Sequence, residues 1–199
     1  AAGEEVAVVV HDVESPTGLH VHEFFEMVYV KEGRLVHRYG PALHTVEAGD
    51  FFIVNPSVPH GYELTPAGPA QIWNIILTEQ ALSTLALAAD TSLMIGELVG
   101  HERNAFAYRR LRLSERVREK VERTVRAMME EHREKADGYQ AVMKGHLIAL
   151  VGLIGRALRE SGFTAQPVPT SQSKLGELTR YIVDHCDEPL TVRHLAARC

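Results

Sequence analysis

The stretch GLHVHEFFEMVYVKEG, residues 18–33, decides how this sequence folds. It is rich in Val, Phe and Tyr and ends at a glycine, which is the pattern of a β-strand that runs into a turn. Because side chains alternate between the two faces of a strand, His20, His22 and Glu26 project from the same face. The other side chains on that face are apolar, and a charge buried unpaired among them is costly. The three groups therefore need a partner.

Further strands are predicted on both sides of this stretch. Short runs rich in Val, Ile, Phe and Tyr are separated by turn signals such as Ser-Pro-Thr-Gly, Gly-Pro and Asn-Pro-Ser. Short strands at such spacing are typical of a sandwich or barrel. The predicted strands are residues 6–10, 20–30, 34–39, 44–46, 51–54, 61–64 and 71–77.

A fourth polar candidate lies in GDFFIVNPSVPH, residues 49–60, where His60 follows an apolar strand and a proline-rich turn. Imidazole suits Zn, Ni and Fe, and a carboxylate also suits Mn. His20, His22 and Glu26 are therefore candidate ligands of a divalent transition metal (Zn, Ni, Fe or Mn), and His60 is a fourth candidate. A second interpretation stays open, in which these groups satisfy one another by hydrogen bonds or contact a small polar effector directly. His37 and His44 are expected on the surface of a hairpin.

The composition of the sequence changes after Thr78. Residues 79–99 have a helical composition, and two long amphipathic segments follow. Ser114 can cap the first segment, and Lys-Ala-Asp-Gly at 135–138 separates it from the second. The pair predicts a helical hairpin. Its apolar stripes are Leu113, Val117, Val121, Val125 and Met128, then Met143, Leu147, Leu150, Ile154 and Leu158.

The spacing His20-x-His22-x3-Glu26-x6-Gly33 resembles the first cupin motif, and residues 49–60 resemble the second. The resemblance implies an all-β cupin (a double-stranded β-helix or jelly-roll barrel), followed by an α-helical hairpin and a truncated α-helical DNA-binding segment. In metal-binding cupins the counterparts of the four polar residues bind one metal inside the barrel. The match has departures: Glu14 and Ser57 stand where glycine is usual, and Leu64 replaces an asparagine.

The segment LTVRHLA, residues 190–196, resembles the first helix of the helix-turn-helix in the arabinose-regulator (AraC) family. This resemblance implies a ligand-responsive bacterial transcription regulator that binds operator DNA. Arg193 and Arg198 are then candidates for DNA contacts, made to phosphates. The turn and the recognition helix, which reads base edges in such domains, are expected after Cys199.

The family order divides the chain into four parts. Residues 1–112 are expected to form the effector- or metal-binding barrel with a flanking helix, and residues 113–162 the hairpin, which is expected to make a homodimer. Residues 163–173 read as a linker, and residues 174–199 as the start of the helix-turn-helix domain. The resemblance implies a small polar effector such as a sugar, for which Phe24 and Trp73 offer stacking surface.

Composition bounds the remaining possibilities. The net charge of −5 argues against wholesale nucleic-acid binding. The two cysteines, Cys186 and Cys199, match no metal or redox spacing and are typical of reduced thiols in a cytoplasmic protein. No apolar run of the length needed to span a bilayer is seen, so no membrane partner is expected. The leading interpretation is a regulator and not an enzyme; the alternative is a metal-dependent cupin enzyme, a dioxygenase or isomerase.

Overall fold

The computed structural model describes residues 4–87 and 108–161 of the chain. Within these ranges the chain forms eight strands and three helices. In chain order the strands are β1 (Val6–Val13), β2 (Phe25–Glu32), β3 (Arg34–Tyr39), β4 (Ala42–Glu47), β5 (Asp50–Val54), β6 (His60–Leu64), β7 (Ala70–Leu77) and β8 (Arg110–Arg112). The helices are α1 (Glu79–Leu87), α2 (Glu115–Glu134) and α3 (Tyr139–Glu160).

The strands form two antiparallel sheets. One has the order β1-β7-β2-β5-β8, and the other has the order β4-β3-β6. Side chains from the facing sides of both sheets share one apolar core, which includes Val28, Phe52 and Ile72 from the larger sheet and Leu35 and Tyr62 from the smaller one. The expected β-rich double-stranded fold, followed by helices, is thereby confirmed.

Strand alternation gives the larger sheet a second buried face. On β2, Val28 and Val30 face the interior, whereas Met27 and Tyr29 face the helices. The helical hairpin of α2 and α3 packs on this outer face. Both of its apolar stripes are buried there, from Val117 to Met128 in α2 and from Met143 to Leu158 in α3. The hairpin is therefore part of the same folded unit as the barrel.

The ends of the hairpin helices match the sequence signals only in part. Ser114 occupies the N-cap position of α2, but its side chain makes no capping hydrogen bond. Lys135, with a φ of 47°, ends α2, and Gly138, with a φ of 83°, precedes α3. Both residues adopt the left-handed conformation that reverses the chain between two helices.

Two elements differ from the sequence prediction. The strand predicted from residue 20 begins at Phe25, because the preceding segment turns toward β6 instead of extending β2. The short strand β8 was not predicted at all; it is held at the sheet edge by backbone pairing with β5 and by an ion pair between Arg112 Nε and Asp50 Oδ1 at 2.8 Å. Residues 88–99 of the predicted helix, the linker and residues 174–199 lie outside the described residues.

The helix α3 is apolar over much of its surface. Its length and a mean hydropathy of 1.5 would allow it to cross a membrane. Since Leu147, Leu150 and Ile154 are buried against the sheet and α2, the same composition is also that of a core helix. The expectation from sequence concerned uninterrupted apolar runs, and Lys144 and Arg156 interrupt this helix.

Candidate functional site

The segment before β2 is tied to the start of β6 by backbone hydrogen bonds. His20 and His60 exchange two such bonds, each 3.0 Å long, and Ser57 N donates to His22 O at 2.8 Å. Ser57 has a φ of 61°, in the left-handed region that favours glycine. This conformation explains why glycine is usual at that place in the second cupin motif. The result is that His22 and His60 lie side by side at the barrel interior.

Three of the four predicted ligands form a cluster. One ligand atom each from His22, Glu26 and His60 lie within 4.8 Å of one another. The Nε2 atoms of His22 and His60 lie 3.7 and 3.8 Å from the same oxygen, Oε2 of Glu26. These separations are too long for hydrogen bonds. Two ligands on one ion, with bonds of about 2.0–2.1 Å, lie roughly 3.4 Å apart. The two imidazole–carboxylate distances are therefore close to those of a metal site, and the widest pair of ligand atoms, within 4.8 Å, must approach further.

The protonation of the two imidazoles is fixed by their backbone partners. The Nδ1 atoms of His22 and His60 lie 2.8 Å from Phe24 O and 3.1 Å from Val58 O. A carbonyl oxygen can only accept, so each Nδ1 carries the proton. Each Nε2 then presents a lone pair, and neither has a hydrogen-bond partner in the part of the chain that the structure describes. Burial lowers the pKa of His60, which keeps that lone pair free at neutral pH. This is the orientation that a metal ligand requires.

His20 lies beside the cluster but outside it. Its ring centroid is 4.3 Å from that of His60 and 6.2 Å from that of His22, and its Nδ1 bonds to Gly18 O at 3.0 Å. Its side chain is also exposed, whereas the side chain of His60 is 1% exposed. The structure therefore places His20 at the border of the cluster, where its ring packs on that of His60.

The two predicted stacking residues lie in different places. Phe24 stacks on His22 with parallel rings 4.1 Å apart, so it borders the cluster. Trp73 lies on the helix-facing side of the larger sheet, in the core shared with α2 and α3. Its ring packs against Tyr29, and its indole nitrogen donates to Gln71 Oε1 at 3.0 Å. Trp73 thus lies on the opposite face of the sheet from the barrel interior.

A second group of polar residues in the barrel was not found from the sequence. His37, expected on the surface, is fully buried, and that expectation is wrong. Its ring stacks between Phe52 and Tyr62, and its Nδ1 lies 3.1 Å from the hydroxyl of Tyr108. His44 is only partly exposed and stacks on Tyr108 with centroids 3.9 Å apart.

These buried groups are held in their uncharged forms. Burial, and next the charges of His60 and His44, place the pKa of His37 well below its ordinary value. Burial also raises the pKa of Tyr62, and the nearby charge of Glu26 raises it further. At neutral pH the barrel interior therefore presents a neutral imidazole and a protonated phenol. The predicted DNA contacts, Arg193 and Arg198, lie outside the described residues.

Some solved structures resemble part of the chain. An uncharacterised protein with a double-stranded β-helix domain from Klebsiella pneumoniae shares 22% identity over 37% of this chain and 68% of its own, with a TM-score of 0.35. A cupin-2 domain protein from Shewanella frigidimarina shares 22% over 38% and 72%, with a TM-score of 0.33. The polyketide cyclase RemF from Streptomyces resistomycificus shares 20% over 39% and 58%, with a TM-score of 0.36. At these scores the likeness carries no information about function. No curated protein matches the chain.

Two antiparallel sheets around a shared interior, with a His/Glu/His cluster inside, define the class of protein as a cupin, a double-stranded β-helix. The family follows from a direct match. The model of the AraC-like ligand binding domain covers residues 5–151, which is well over half of the chain, and the chain belongs to that family. Membership implies a small-molecule effector.

Proposed function

We propose that the chain is the effector-sensing part of a transcription regulator, in which the barrel binds a small polar metabolite and the bound state changes DNA binding by a helix-turn-helix domain. The family of residues 5–151 supports the sensing role. A ligand shifts such an equilibrium only by its differential affinity for two arrangements of the protein. The observation that carries the proposal is the group of buried, unpartnered polar atoms inside the barrel of a ligand-binding family.

We infer that His22, Glu26 and His60 hold a divalent transition metal: Zn, Ni, Fe or Mn. The residues fit such an ion, because two imidazole lone pairs and one carboxylate oxygen converge with no hydrogen bond between them. Two imidazoles and a carboxylate suit these metals better than Mg or Ca, which prefer oxygen ligands. When bound, the ion would supply coordination positions for an oxygen atom of the effector.

The residues around the cluster fix its geometry. The carbonyls of Phe24 and Val58 hold the two imidazoles by their Nδ1 protons, and the Phe24 ring covers one face of His22. Phe24 is therefore a candidate effector contact at the rim of the site. Trp73 supports the barrel from the helix side, and we do not assign it to the effector.

We assign DNA binding to a helix-turn-helix domain that includes residues 174–199. The test is a selection from a random pool of DNA duplexes with the natural protein, with and without added metal. A recurring sequence is expected, bound with an affinity that changes with metal or effector. Arg193→Ala and Arg198→Ala should weaken binding to all duplexes alike, since phosphate contacts carry no sequence information. If no sequence is enriched, the proposed role is wrong.

We also propose a homodimer, formed through the outer face of α3. The predicted apolar stripes are buried within one chain, but Val142 and Ile148 remain 45% and 39% exposed on the other side of the helix. Gly145 and Ala149, which are also exposed, lie between and beside them. Small and apolar side chains along one exposed helix face commonly mark an interface.

The second candidate function is a metal-dependent cupin enzyme, either a dioxygenase or an isomerase. It is favoured by one observation: two imidazoles and one carboxylate are the donor set of many non-haem iron oxygenases. A turnover screen with Fe(II) and O2 separates the two functions. Catalytic oxygen consumption with a small organic substrate, together with no sequence-specific DNA binding, would favour the enzyme.

A further inference from the structure

Three buried polar side chains in the barrel have atoms without a hydrogen-bond partner among residues 4–87 and 108–161, and they do not belong to the metal cluster. They are His37 (Nε2), Tyr62 (hydroxyl) and Asn74 (Oδ1), with exposed fractions of 0%, 3% and 8%. Leaving one such group unsatisfied costs about 1–3 kcal/mol, and the large majority of buried polar groups in native proteins are satisfied. Three in one interior therefore indicate that something else supplies their partners.

The three groups come from both sheets, and His37 and Asn74 each lie near a residue of the metal cluster, with the ring centroids of His37 and His60 6.0 Å apart. His37 and Tyr62 are directly opposite each other on β3 and β6, and their rings stack with centroids 4.9 Å apart. Asn74 is opposite Val28, and Ile76, two residues further along β7, is opposite Glu26. Asn74 and Glu26 thus share the inward face as diagonal neighbours.

The charges in the interior limit what can bind there. Among the described residues, the buried acids are Glu26 and Asp50, and no lysine or arginine is buried. Asp50 is paired with Arg112 at 2.8 Å. In the metal-free chain, an anionic group of a ligand would therefore find no buried lysine or arginine among the described residues to pair with, and a buried charge without a partner is costly. Hydroxyl, carbonyl and carboxamide groups avoid this cost.

We propose that His37, Tyr62 and Asn74 form a hydrogen-bonding subsite, next to the His22/Glu26/His60 cluster, which recognises uncharged oxygen-bearing groups of the effector. The inference rests on the proposed function in one respect, that the barrel binds an effector. A hydroxyl both donates and accepts, so it pairs with His37 Nε2 in either tautomer. It also pairs with the phenol of Tyr62 and with either end of the Asn74 amide.

The first test is the thermal stability of the 199-residue chain without any added ligand. If the Tyr62 hydroxyl is unsatisfied until the effector binds, Tyr62→Phe removes a buried unpaired group and raises the melting temperature, by about 2–4 °C. The matched control is Tyr108→Phe, which removes a hydroxyl bonded to His37 Nδ1 in the same barrel and should lower it. If Tyr62→Phe also lowers the melting temperature, the hydroxyl is already satisfied, for example by a buried water, and the proposal fails.

The second test identifies the chemical class of ligand with three probes of one skeleton: lactamide, lactate and 1-amino-2-propanol. Saturation-transfer NMR is recorded at millimolar probe concentration on protein freed of metal with EDTA, so that the cluster cannot bind lactate through an ion. Lactamide is expected to give a signal that Tyr62→Phe and Asn74→Leu abolish. Stronger signals from lactate or the amine, or none from lactamide, would overturn the proposal.

These outcomes are separate from those of the proposed function. Both substitutions leave the three metal-cluster residues intact, so metal stoichiometry measured on Tyr62→Phe should equal that of the wild-type chain. DNA selection and metal analysis can therefore succeed while the subsite fails, and the reverse also holds.

Discussion

The Nε2 atom of His60 lies 3.8 Å from Oε2 of Glu26, and this nitrogen has no hydrogen-bond partner among the described residues. The His60 side chain is 1% exposed, so bulk water does not solvate it. His22 repeats the arrangement on the same oxygen at 3.7 Å. A gap of this size between three donor atoms is what a bound ion would fill.

Metal binding should depend on His60 and not on His20. Protein purified without a His-tag is expected to contain one divalent ion per chain, and His60→Ala to contain none, because it loses a buried ligand of the cluster. His20→Ala is the matched control and should retain the ion, since His20 lies outside the cluster. Elemental analysis measures both. A loss of metal in His20→Ala equal to that in His60→Ala would restore the four-residue site expected from the sequence.

Stability should fall with acidification in a way that His37 controls. The pKa of His37 is held well below its ordinary 6.5 by burial first. Below pH 6.5, His37 is protonated in the unfolded chain but stays neutral in the folded chain. The contribution of neutral His37 to the stability is therefore complete only above that pH. This contribution is lost as the pH falls toward the folded pKa, at no more than roughly 1.4 kcal/mol per pH unit.

His37→Gln should therefore flatten the dependence of unfolding free energy on pH between about 6.5 and 5. Urea unfolding at a series of pH values measures it. Leu35→Ala, which destabilises the same strand without removing a titrating group, should keep the wild-type slope. An unchanged slope in His37→Gln would mean that His37 titrates alike in both states.

The strands were predictable because their signals are local. The predicted 34–39 coincides with β3, and six of the other predictions overlap an observed strand. The burial of His37 could also have been predicted from the alternation of side chains along β3. Arg34 and Arg38 favour the solvent side of the strand. The residues between and after them, which are Leu35, His37 and Tyr39, then face inward. Placing His37 on the surface overlooked this parity.

The composition of the metal cluster was less predictable, because it depends on pairing between distant segments. If His20 and His22 lay on one strand, they would share a face and both would be predicted as ligands. In the structure, the bridge between His20 and His60 takes residue 20 out of β2 and turns its ring onto the neighbouring imidazole. Likewise, β8 has only three residues, and its place at the edge depends on β5 and Asp50, not on its own sequence.

The burial of the helical hairpin predicts a sharp contrast between two adjacent residues of α3. Leu147 is fully buried against the sheet, and Ile148 is 39% exposed. Leu147→Ala should lower the unfolding free energy by about 2–5 kcal/mol through lost contacts and a cavity. Ile148→Ala should change it by about 0.5 kcal/mol or less, as surface substitutions usually do. Similar losses at both positions, measured by urea unfolding, would contradict the packing of α3 described above.

The outer face of α3 should be the dimer interface. In light scattering the wild-type chain is expected to be a dimer, and Ile148→Glu a monomer, because a carboxylate at the centre of the interface would be buried without a partner. Its melting temperature, extrapolated to low protein concentration, should stay near that of the wild type. Leu150 and Ile154 are unsuitable for this test, since both lie in the monomer core and a charge there would unfold the chain.

Leu43→Glu is the matched control for the dimer, since Leu43 is also an exposed aliphatic side chain, 55% exposed on β4 in the other sheet. It should leave the dimer intact. If Leu43→Glu dissociates the dimer and Ile148→Glu does not, the smaller sheet forms the interface. A wild-type chain that stays monomeric at high concentration would show that the exposed face of α3 serves another purpose.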